Sequence, residues 1–164
     1  MSKEYSVGGD GLTITGASTL VFLNPTSAPD PNYYILRLWT SQSGTSTSAM
    51  QRVQIETQVA LFPNLTSAMP RQLKTGDSVA SLLVGGTAGA AGTVGINASA
   101  ELNGTKTVRY GDNFNNLNGY LWVPTPREQI SMASGFLSGL GLFLPAAPGT
   151  LTNWATGMNY AEDV

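Results

Sequence analysis

Chemistry in this 164-residue chain has to come from ten carboxylates, because the sequence contains neither histidine nor cysteine. Without imidazole there is no ordinary general base, proton shuttle or nitrogen ligand for a metal. Without thiol there is no disulfide, thiolate nucleophile or cysteine metal site. Ser-His-Asp, Cys-His and zinc-hydrolase schemes are therefore excluded. Two acids held about 5 to 9 Å apart across a cleft would still serve a glycosidase. The acids are Glu4, Asp10, Asp30, Glu56, Asp77, Glu101, Asp112, Glu128, Glu162 and Asp163, and only Glu56 and Glu128 fall in stretches that read as strands. The expectation is solvated acids and turn formers, with no catalytic residue, no cofactor and no bound metal.

Two further clusters have the types for a site but not the spacing. Gly111-Asp112-Asn113-Phe114-Asn115-Asn116 offers the oxygen ligands that calcium takes, yet it lacks the bidentate Glu of a helix-loop-helix site, so it reads as a turn. Gly85-Gly86, Gly89 and Gly92 lack the Lys-Ser/Thr ending and the following helix of a phosphate cradle. Small residues from Gly86 to Glu101 instead permit close backbone approach, which makes Gly85, Gly86, Gly89 and Gly92 candidates for pressing against a partner. Trp39, Trp122, Trp154 and six tyrosines have faces that stack on sugars, but aromatics of β domains commonly supply core or interface area. Trp122 is the tryptophan expected to contact a partner.

The elements that must position these residues are strands. Leu117 to Pro148 holds three short apolar runs, Tyr120-Val123, Gln129-Met132 and Gly139-Leu144, separated by proline and glycine. Each is of strand length and too short for a helix. Thr19-Leu23 is a continuous apolar run, as expected of a strand buried on both faces. Tyr33-Thr40 alternates loosely, with Tyr34, Leu36 and Leu38 on one face and Tyr33, Ile35, Arg37 and Trp39 on the other. Ala49-Phe62 is open to a helix by its capping-box start, but Val53, Ile55, Thr57 and Val59 recur at spacing two, which predicts a strand. Asn103-Gly104 predicts a hairpin into Thr105-Tyr110. Nine or ten strands and no helix follow, a pattern that fits an all-β, antiparallel two-sheet sandwich of jelly-roll type. A single β-sandwich domain is expected over residues 11–164. Residues 1–10 read as a flexible, partner-seeking arm that presents Glu4, Tyr5 and Val7, and Ala161-Val164 as a solvated tail.

Charge narrows the partners. A net charge of −2, a pI near 4.9 and eight basic residues scattered from Lys3 to Arg127 give no patch for nucleic acid. No run approaches the ~18 apolar residues of a membrane span, and MSKEYSVGGDG lacks the apolar core of a signal peptide, so synthesis and release in the cytoplasm are expected. Only 11% of residues are charged, against about 25% in an ordinary soluble domain. Uncharged Ser, Thr, Asn and Gln supply 50 residues of polar surface instead, and weak mutual repulsion suits a protein that works in an assembly.

QRVQIETQVALFPNL (Gln51-Leu65), VGGTAGAAGTVGINASAE (Val84-Glu101) and NGYLWVPTPREQISM with SGLGLFLPAAPGTLTNW (Asn118-Trp154) resemble a family of small proteins encoded among the virion genes of tailed bacteriophages. The resemblance covers most of the chain and implies a capsid cement, or decoration, protein: a homotrimer bound to the major capsid protein on the outer head surface. It implies no catalytic or ligand residue. A tail, neck or fibre component that binds a receptor, and a jelly-roll carbohydrate-binding module, are the alternatives.

Overall fold

The computed structural model describes residues 2–26, 32–74, 80–102, 104–133 and 138–163. Asp30, Asp77 and Asn103 lie outside them. The continuous apolar runs form the centre of one sheet, as their composition predicts. All seven residues of β2 (Ser18–Asn24) are buried, as are six of seven in β12 (Ser138–Leu144). The two pair antiparallel from Leu140↔Leu23 to Leu144↔Ser18. On its other side β12 pairs with β4 (Met50–Val59), which is a strand as its two-residue period requires, with Val53 and Ile55 in the core. β4 in turn pairs with β9 (Thr105–Asn115). The Asn-rich stretch expected to turn at Gly111 instead continues the strand, because Asp112 to Asn115 stay in register with Val53 to Met50.

The second sheet has β13 (Trp154–Asp163) at its centre, between β1 (Ser2–Leu12) and β3 (Asn32–Gln42). The expected arm and tail are both wrong here. Ser2 through Gly9 pair in register with Asp163 through Thr156, and Tyr5, Val7, Ala161 and Glu162 are buried. The reason is periodicity: a strand with one solvated face needs only every second residue to be apolar, and Tyr5 and Val7 meet that need inside a polar stretch. β10 (Tyr120–Trp122) and β11 (Ser131–Ala133) both pair with β3. Along β3 the expected phase also fails. A register shift against Asn159 and Tyr160 leaves Leu36 as a bulge, so Tyr33 and Ile35 before it and Leu38 and Thr40 after it all face inward.

The chain passes from sheet to sheet so that β1 pairs β13, β2 pairs β12, β3 pairs β10 and β4 pairs β9. This nested pairing is that of a jelly roll. Between β4 and β9 an insert adds β5 (Asn64–Ser67), β6 (Arg71–Gln72), β7 (Val84–Gly85) and β8 (Thr93–Ala100). β8 extends the first sheet beside β2 and β6 extends the second beside β1, so the insert covers one long side of the sandwich. The predicted hairpin does not form: β8 pairs with β2 and β5, and β9 with β4. Trp154, Tyr5, Tyr33 and Tyr160 are the largest fully buried side chains between the sheets.

Candidate functional site

Two carboxylates converge at one place on the first sheet. Lys106 Nζ lies 2.8 Å from Glu56 Oε1 and 2.7 Å from Glu101 Oε2, with Nζ 3.6 Å from the centre of the Phe143 ring. Glu101 also accepts hydrogen bonds from Thr19 Oγ1 at 2.7 Å and from the Thr19 N–H. Burial pushes the Glu56 carboxyl above its ordinary range, with Lys106 opposing the rise. A hydrolytic acid pair needs substrate or water between its members; here an ammonium stands there. The cluster ties the β8–β9 connection to β2 and β4, and it is a clamp.

The second buried carboxylate is also internal. Glu162, 1% exposed, accepts the Leu82 N–H at 3.1 and 3.2 Å and the Ser81 hydroxyl, which itself lies 2.8 Å from Tyr160 Oη. Burial pushes Tyr33 up to about 12, the Glu162 charge adding to the rise. Tyr160 moves up for the same first reason. Among the described residues no three acids gather as a cation site would require. The amides near Asp112 hold a neighbouring loop: Asn115 Nδ2 donates to Ser48 Oγ at 2.6 Å and Asn116 Oδ1 accepts from the Ala49 N–H at 2.8 Å.

The residues expected to meet a partner do not form one patch. Tyr5 and Val7 are in the core and out of reach. Glu4 is half-buried, and its carbonyl accepts the Leu73 N–H at 3.0 Å. The glycines do permit close backbone approach, but toward this same chain. A Cβ on Gly86 would lie 2.6 Å from the Thr93 side chain. Gly89 is buried with φ +56°, where a Cβ would lie 2.7 Å from Phe62 Cβ. Asn24 Nδ2 donates to its carbonyl at 2.8 Å. Gly85 packs on Ser67, and the Gly92 N–H donates to Asn24 O and Pro25 O. Trp122 sits on the opposite long side, with its ring 5.5 Å from that of Tyr110 and its flank against the core.

No family model, curated protein or solved structure matches this chain.

Among the described residues, separate grooves carry Glu128, Glu101 and Asp10, and a further one carries no carboxylate. The groove with Asp10, of about 710 Å³, runs past the edge of β1, from Gly8, Trp39 and Ala155 of the β1–β13–β3 sheet to Ser67, Ala68 and Ile96 of the insert. Its organising residue is Trp39. Leu38 faces inward, so Trp39 faces out, in one cross-strand row with Gly157 and Gly8. A Cβ on Gly157 would lie 2.6 Å from Trp39 Cη2, and one on Gly8 3.4 Å from Cζ2. The indole thus occupies space over β13 that glycine at 157 leaves open, and it lies outside the core cluster. Ser6, Asp10, Ser67, Met69 and Arg71 surround it. Sequence reasoning missed this groove because register, which no local pattern displays, aligns residues 8, 39 and 157.

Proposed function

We propose that this chain is a non-enzymatic structural protein of a bacteriophage virion. In this reading it is made in the host cytoplasm and assembles as a homotrimer on the outer head surface, where it binds the major capsid protein and stabilises the shell. The observation that carries the reading is the nested strand pairing of a jelly roll, an architecture that viral shells use. Its two clusters of buried charge support a structural role, since Lys106 clamps Glu56 and Glu101, and Glu162 caps Leu82.

Residues 2–9 are tied into a sheet, so contact with partners falls to the long side that the insert leaves uncovered. There β9 is the last strand of its sheet, with no further partner among the described residues, and Val108, Tyr110, Leu121 and Val123 are exposed. An unpaired edge with apolar neighbours is what a symmetric self-interface covers. Native mass spectrometry tests the assembly: the expected species is three copies of the 17.2 kDa chain, and Leu121→Glu shifts it to monomer while the far-UV spectrum is retained. Co-sedimentation with purified heads tests the partner. A wild-type protein that stays monomeric at micromolar concentration and fails to sediment with heads overturns the proposal.

A further inference from the structure

We propose that the groove around Trp39 is a binding site for a neutral saccharide, with a pyranose ring stacked against the indole and its hydroxyls bonded to Asp10 and Arg71. The proposal does not depend on where the chain resides in a particle.

Three observations carry it. The first is the placement of Trp39. Trp154 is fully buried and Trp122 packs against the core, whereas Trp39 is half-buried on an outer sheet face. Gly157 admits its ring there with Gly8 alongside, and the Arg37 guanidinium lies 5.4 Å from the ring centre. An aromatic face is electron-rich and attracts the polarised C–H groups on one side of a sugar ring. The second is the polar complement. The groove contains one carboxylate, Asp10, and one guanidinium, Arg71, together with the hydroxyls of Ser6 and Ser67. With the Arg37 guanidinium beside the ring, one carboxylate and two guanidinium groups set acceptors and donors together as the hydroxyls of a polyol require, whereas a phosphate would meet the Asp10 carboxylate. The third is size. At about 710 Å³ the groove falls in the range of small-ligand sites, and Met69, 64% exposed, adds an adaptable apolar side chain to its lining.

Isothermal titration calorimetry of the full chain with chitohexaose, cellohexaose and maltohexaose tests the proposal. At least one of these is expected to bind with a Kd below about 1 mM. Trp39→Ala is expected to weaken that binding by about tenfold or more, whereas Trp122→Phe leaves it unchanged. Asp10→Asn, at an exposed position, is expected to weaken binding by about threefold and serves as the second variant if Trp39→Ala is poorly folded. Oligomeric state and co-sedimentation with heads should be unaffected in both groove variants, so failure here is distinct from failure of the virion reading. The inference is overturned if none of the three sugars binds up to about 10 mM, if heparin hexasaccharide alone binds, or if a folded Trp39→Ala variant binds as the wild type does.

Discussion

Lys106→Met would test the clamp that joins the insert to the rest of the sandwich. The substitution keeps an unbranched side chain but removes the ammonium that sits over the Phe143 ring, leaving Glu56, its side chain only 4% exposed, without the cation that pairs with it. Removing one partner of a fully buried pair costs about 3–5 kcal/mol. Lys106 and Glu101 are each about one-fifth exposed, so solvent screens part of the loss and about 2–3 kcal/mol remains. For a chain of this length that lowers Tm by roughly 5–10 °C. The pH dependence carries a further signature. Burial already favours the protonated form of Glu56 and Lys106 opposes it, so deleting the lysine raises that carboxyl further. A raised carboxyl binds more protons in the native state than in the unfolded one, so stability falls as the pH rises through that interval. The deficit of Lys106→Met is therefore largest near neutrality and shrinks on acidification. Circular-dichroism melts of both proteins across that range measure it. A deficit under about 1 kcal/mol, or one that is flat with pH, would refute the clamp.

Three other outcomes are expected. Tyr5→Ala should cost about 3–5 kcal/mol in urea unfolding, because the ring is 1% exposed and stacks 5.6 Å from Tyr160; a mobile arm would show no change. Gly157→Val should displace the Trp39 ring, lowering stability by about 1–3 kcal/mol and shifting tryptophan emission; an unchanged emission spectrum contradicts the packing described. In an alkaline absorbance titration, Tyr33 and Tyr120, each pushed up to about 12 by burial, should ionise only well above the ordinary phenol range. Because both favour the protonated form in the native state, stability should decline once the pH exceeds about 10, and full ionisation of all tyrosines at that pH without unfolding would contradict their burial.

Much of the architecture is legible in the residues, and the exceptions have physical causes. Thr19-Leu23 and Gly139-Leu144 are apolar at consecutive positions, and only a strand covered on both faces uses such a run; they form the centre of one sheet. The two-residue period of Val53 and Ile55 outweighs the capping-box start of the same segment. Ser2-Gly9 misleads because two apolar residues suffice for a strand whose other face is solvated. Leu36 misleads because a bulge shifts the phase by one, and the bulge is set by the neighbouring strand and not by local sequence. The clamp and the groove are further from view still. Glu101 and Glu56, 45 positions apart in number, share Lys106 only because the β8–β9 connection passes Thr19 of β2 and β9 then pairs with β4. Trp39, Gly8 and Gly157 meet only through register. The glycines at 85, 86, 89 and 92 signal close approach correctly, but composition does not reveal that the surface approached belongs to the same chain.

Antibody-gold labelling of intact, purified phage particles tests the central claim most directly. A decorating jelly-roll subunit should place gold over the outer surface of the heads, with labelling lost when the heads are stripped of the protein. Gold confined to tails, or particles that carry no label while the free protein is recognised, would contradict the account.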